Sequence, residues 1–192
     1  MLASGNEGKL REFRRLLSPL GIDVVAQRAL GIADAEEPHA TFIENALAKA
    51  RHASACAGLP ALADDSGICV DALGAAPGVL SARFAGEPRS DTRNNARLLA
   101  DLAGVAQRTA HYYCVLALVL KADDPEPMFA EGRWHGRVIE VARGDGGFGY
   151  DPLFEDLQTG MTGAEMPLAQ KNEVSHRGKA MRALIAQLQA LG

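Results

Sequence analysis

Residues 61–73 read Ala-Leu-Ala-Asp-Asp-Ser-Gly-Ile-Cys-Val-Asp-Ala-Leu, and on them the reading of the fold turns. Apolar segments at Ala61 to Ala63 and Ile68 to Leu73 flank the polar core Asp64-Asp65-Ser66-Gly67. This pattern predicts short strands on either side of a chain reversal that exposes both carboxylates. Upstream, Leu10, Phe13, Leu16 and Leu17 recur at helical spacing and predict an amphipathic helix that ends near Ser18-Pro19. Thr41 and Glu44 form a capping-box pattern ahead of Phe42, Ile43, Ala46, Leu47 and Ala50, so a second helix is expected to run to Gly58. Downstream, a third helix is expected over 91–103, a central strand covered on both faces over Tyr112 to Leu120, and a shorter strand around Trp134 to Val141. Ser175 caps a last helix carrying Ala180, Met181, Leu184, Ile185 and Leu188. Helices and strands alternate, which argues for an α/β fold with a mixed central β-sheet flanked by helices. No repeat or linker divides residues 1–192, so a single domain is expected.

The chain has 192 residues, 47% of them hydrophobic, enough for one sizeable core. A net charge of −4 and a pI near 5.7 speak against a nucleic-acid polymer or a membrane surface as partner, since both need a dominant positive field. The first residues lack the pattern of a signal peptide and no apolar stretch is long enough to span a bilayer, so a cytoplasmic location is expected. Cys56, Cys69 and Cys114 are far apart among apolar neighbours and are expected to be buried small hydrophobes.

The chemistry lies in polar runs. Asp64 and Asp65 would by themselves more commonly turn the chain, but Glu36 and Glu37 add a second acidic pair. Oxygen ligands of this kind suit magnesium, which takes one or two carboxylates and completes its shell with water and phosphates. Ser4-Gly5-Asn6-Glu7-Gly8-Lys9 lacks the spacing of a Walker A loop, yet backbone N–H groups at a helix start with one Lys make a phosphate seat. Gly144 to Gly149 matches a dinucleotide fingerprint in spelling, but Pro152 blocks the helix such a motif must open. Phe148, with Gly on both sides, is instead placed to stack on a flat base. Lys171, His176 and Arg177 cluster as donors near a helix start, whereas His39, His52, His111 and His135 show no metal spacing.

Taken in order, these runs resemble the HAM1/RdgB-type inosine triphosphate pyrophosphatases, also called XTP/dITP diphosphatases. Thr41-Phe42-Ile43-Glu44-Asn45-Ala46 and Pro77-Gly78-Val79-Leu80-Ser81-Ala82-Arg83 extend the match over nearly the whole chain. The resemblance implies a homodimer of elongated, two-lobed α/β subunits with the nucleotide in a cleft between lobes. It implies magnesium-dependent hydrolysis of ITP, dITP and XTP to the monophosphate and pyrophosphate. Carried over by position, Ser4, Gly5, Asn6, Glu7, Gly8, Lys9 and Ser66 would hold the triphosphate, and Glu36 and Asp65 the metal. Asp65 would also be the general base, and Phe148, Gly149, Tyr150, Asp151, Lys171, His176 and Arg177 would form the nucleoside pocket. Two departures stand out: only Met1-Leu2-Ala3 precedes the first run, so either the opening strand is shortened or the start site is misassigned, and Ala75 stands where the family commonly has a second Gly. A Maf-like pyrophosphatase should lack Ser175-His176-Arg177, and a nucleotide sensor without turnover would not need a placed base.

Overall fold

The computed structural model describes residues 1–5 and 7–190. Among them, β1 (Ala61–Val70), β2 (Thr109–Val119), β3 (Met128–Val138) and β4 (Phe154–Asp156) form a sheet in sequential order. β4 runs antiparallel to β3, with Gly136 opposite Asp156 and Val138 opposite Phe154. Leu2 adds isolated parallel bridges to Leu62 and Ala26 beside this four-stranded sheet. The helices are α1 (Glu7–Leu17), α2 (Phe42–Ala57), α3 (Asp91–Asp101), α4 (Leu168–Val174) and α5 (His176–Ala190).

The expected reversal at Asp64-Asp65 is absent. β1 runs straight through the acidic pair and is buried at every residue except the half-buried Ser66. Two ionised carboxylates can lie inside a buried strand only if cations meet them there, and Lys9 and Lys49 do so. The chain turns later, in a 3-10 segment at Asp71–Leu73 closed by Gly74 and Ala75, both in the left-handed region with φ of 61° and 71°.

β2 is central, as its apolar run implies: Cys114, Val115, Leu116 and Ala117 are all buried. β3 is as long as β2 at 11 residues, because polar Glu131, Arg133 and His135 alternate with buried Ala130, Gly132 and Trp134 and so keep strand periodicity upstream of Trp134. Thr41 caps α2 by accepting from the Glu44 N–H, and Gly58 ends it in the left-handed conformation. Its buried face is Asn45, Ala46, Lys49, Ala50 and Ala53, while Ile43 is exposed. Cys69 and Cys114 are buried but Cys56, on the outer side of α2, is exposed.

The chain divides into two compact units, the first comprising Met1–Asp65, Cys114–Gly132 and Arg177–Gly192, the second Ser66–Tyr113 and Arg133–His176. In the first, Leu10, Phe13 and Leu17 of α1 and Ala180, Met181 and Leu184 of α5 pack with Leu62, Cys114 and Leu116 of the sheet. In the second, Trp134, Tyr112 and Phe154 form the aromatic centre, with Leu98 and Leu102 from α3 and its end. Trp134 Nε1 donates to Asp156 Oδ1 at 2.8 Å, which satisfies the indole inside that core.

Candidate active site

The first unit holds a buried array of alternating charge. Lys9, in the first turn of α1, stands 2.8 Å from Asp64 Oδ2, and Arg177, in the first turn of α5, approaches the same oxygen with Nε at 3.6 Å. Arg177 Nη1 also donates to Glu12 Oε2. On the next residue, Lys49 Nζ donates to Asp65 Oδ1 and to Glu37 Oε1, each at 2.9 Å. Asn45 braces the acidic loop before α2, accepting from the His39 N–H at 3.0 Å and donating to the His39 carbonyl at 3.2 Å.

These partners drive neighbouring carboxylates apart. Burial opposes ionisation of Asp64, but Lys9, Arg177 and Lys49 outweigh it and hold the carboxyl well below the usual range. At Asp65 burial wins over Lys49 and the carboxyl is pushed up. Burial likewise opposes the charge of Lys49, yet Asp65, Asp64 and Glu37 raise its pKa and keep it an ammonium. Asp65 Oδ2 is buried with no hydrogen-bond partner among the described residues. An oxygen so desolvated, with Lys49 on the other oxygen of the carboxylate, fits a hard divalent ion or a water to be deprotonated.

No group of three or more His, Cys, Asp or Glu gathers as a metal centre among the described residues. Glu36 lies exposed, and the neighbouring Glu37 is the residue that shares Lys49 with Asp65. Ser4 and Gly5 are half-buried ahead of α1, Glu7 and Gly8 open that helix, and Asn6 lies outside the described residues.

The second unit carries the flat and aromatic groups. Asp151 Oδ2 accepts from the Phe148 N–H at 2.8 Å and from Lys171 Nζ at 2.6 Å, and that ammonium lies 5.2 Å from the centre of the half-buried Phe148 ring. Gly147 is required here, since a Cβ would come within 2.2 Å of the Asp151 carboxylate. Tyr150 is a core residue whose hydroxyl donates to the Ser81 carbonyl at 2.8 Å. His176 is buried and stacks on Tyr112 with ring centres 4.6 Å apart and planes 7° from parallel. Ser66 sits half-buried in β1.

The run 171–177 is therefore not one cluster of donors: Lys171 engages Asp151, His176 stacks on Tyr112, and Arg177 engages Glu12 and Asp64. Lys49 and Glu12 are the members that sequence reasoning missed. Lys49 had a signal, a Lys among Ala46, Ala50 and Ala53 on one helical face; Glu12, between Arg11 and Phe13, had only a faint one.

The chain matches the Ham1 family model over residues 1–187. It is 63% identical to a protein of Ralstonia nicotianae named dITP/XTP pyrophosphatase, the match covering 98% of this chain and 95% of that one. A protein of the same name from Chromobacterium violaceum is 60% identical over 100% of this chain and 97% of its own. Among solved structures, a HAM1 protein from Coxiella burnetii superposes with a TM-score of 0.91 at 43% identity, covering 98% of this chain and 97% of that one.

Proposed function

The chain belongs to the Ham1 family, and on that premise we propose that it hydrolyses the non-canonical purine nucleoside triphosphates ITP, dITP and XTP to the monophosphate and pyrophosphate. The observation that carries the mechanism is the contrast within the acidic pair. Asp64 is fixed as an anion that anchors Lys9 and Arg177, while Asp65 keeps a raised pKa and a buried, unpartnered oxygen. Neighbouring carboxylates pushed apart in this way divide the roles of electrostatic anchor and base.

Asp65 takes the proton of the water that attacks the α-phosphorus. Lys9 and the backbone N–H groups that open α1 hold the triphosphate in line for departure of pyrophosphate. Ser4, Gly5, Asn6, Glu7, Gly8 and Ser66 complete that seat. Glu36 and Asp65 are the residues that would hold magnesium, which when bound supplies positive charge to the phosphate oxygens. Phe148 stacks on the base, with Gly149, Tyr150 and Asp151 shaping its loop. The family resemblance supports Lys171, His176 and Arg177 as residues of the nucleoside pocket, in which a donor meets a 6-keto oxygen and would oppose an adenine amino group donor to donor. The resemblance to the family also supports a cytoplasmic homodimer acting on small nucleotides.

Hydrolysis of ITP in 18O-labelled water tests the site of attack. Label recovered in the monophosphate, with pyrophosphate as the other product, is expected. Label in orthophosphate would place cleavage at the terminal phosphorus and overturn the mechanism.

A further inference from the structure

The backbone of Gly149 is held by α3 at both its N–H and its carbonyl. Its N–H donates to Asp91 Oδ2 at 2.7 Å, and its carbonyl accepts from Asn95 Nδ2 at 3.0 Å. Asp91 and Asn95 are one helical turn apart, so both side chains leave the same face of α3 and reach the two peptide groups that flank the Gly149 Cα. On the other flank, the Phe148 N–H is held by Asp151, which Lys171 fixes in turn. Gly149 itself has φ of 63°, a conformation that Gly alone adopts without cost. A glycine-rich loop would otherwise sample many conformations, and the ring it carries would lose entropy each time a base stacked on it.

α3 is itself well anchored for such a task. Ser90 caps it by accepting from the Arg93 N–H. Asn94 is buried and spans three peptides, donating to the Ser81 and Ala82 carbonyls and accepting from the Ala85 N–H. Leu98 is wholly buried in the core of that unit. The helix is thus a rigid post, and Asp91 and Asn95 are its reach toward the loop.

We propose that Asp91 and Asn95 are positioning residues that fix the backbone on both sides of the Gly149 Cα and so hold the Phe148 ring ready to stack on a purine base. This rests on the function proposed above, in which Phe148 is the stacking platform. Stacking does not read the edge of the base, so the clamp governs affinity for every purine nucleotide alike and leaves the chemical step untouched.

The test compares Asp91→Ala with Asp91→Asn in the full-length protein, because the Asn side chain keeps an oxygen to accept the Gly149 N–H while losing the charge at the helix start. Amide hydrogen exchange is read without nucleotide, and KM and kcat are read on ITP, XTP and GTP. Asp91→Ala is expected to speed exchange of the Gly149 amide about tenfold and to raise KM about tenfold on all three, with kcat within about twofold. Asp91→Asn is expected to restore most of both, and Asn95→Ala to move both in the same direction as Asp91→Ala. Unchanged exchange, a loss confined to kcat, or an Asn variant as impaired as the Ala variant would each overturn the clamp. Wild-type turnover of ITP judges the proposed function separately, since exchange at Gly149 does not depend on substrate.

Discussion

Lys49 and Asp65 form a buried ion pair in which the ammonium stands 2.9 Å from Oδ1, while Oδ2 of the same carboxylate has no hydrogen-bond partner among the described residues. One oxygen is thereby oriented, and the other is the atom to which the proposed mechanism gives the proton of the attacking water. Asp65→Asn keeps the shape but is neither a base nor a good magnesium ligand. The variant is expected to lose at least about a hundredfold in kcat while nucleotide binding stays measurable by calorimetry. Wild-type turnover in this variant would remove Asp65 from the reaction.

Arg177 joins the buried array through Glu12 and Asp64, so its removal has two consequences to separate. Arg177→Ala takes a buried cation from Glu12 and leaves Lys9 to meet Asp64, and is expected to lower stability by about 3–5 kcal/mol, read by denaturant unfolding. Arg177→Lys retains charge but loses the planar fork. In this milder variant kcat/KM for ITP is expected to fall more than that for ATP, narrowing their ratio. An equal loss on both substrates would mean that Arg177 serves the charge array and reads no base.

Asp156 gives the second unit a pH dependence whose sign follows from its contacts. Burial opposes its ionisation, but Trp134 and Thr159 donate to the carboxylate and lower its pKa. A depressed pKa contributes stability that is present above the unfolded value of about 3.9 and lost as pH falls through the folded value. Asp156→Asn is expected to cost about 1–2 kcal/mol at pH 7, with the gap to wild type closing below about pH 4. A gap that stays constant in acid would show that the carboxylate's charge contributes nothing.

Ala75 occupies the left-handed region with φ of 71°, directly after Gly74 at 61°. A side chain at such a backbone angle costs about 1 kcal/mol that Gly avoids, partly offset by the greater freedom of Gly in the unfolded chain. Ala75→Gly is expected to leave activity unchanged and to raise stability by up to about 1 kcal/mol. Clear destabilisation would mean that the methyl group packs usefully in this turn.

The elements with local signals were legible in the sequence. The Thr41 cap, the Gly58 stop and the apolar run of β2 all stand where propensity and periodicity put them. β4 and α4 escaped notice because three and seven residues are too short to build a period. The continuous β1 was misread for a deeper reason. Asp64 and Asp65 look like turn residues until Lys9, Lys49 and Arg177 arrive from distant parts of the chain to compensate them. The same holds for the donors at 171–177, whose spacing suggested one cluster while their partners separate them. Individual site residues could be named from runs of sequence, but the charge array joining them is a tertiary fact.

The substrate itself remains the most direct arbiter of how these parts work together. Steady-state kcat/KM for ITP, dITP and XTP should be measured beside ATP and GTP at one magnesium concentration, with pyrophosphate as the detected product. On the function proposed above, in which donors meet a 6-keto oxygen and oppose an amino group, ITP is expected to be favoured over ATP by about a hundredfold or more. Equal rates on ITP and ATP, or turnover that releases orthophosphate alone, would contradict it.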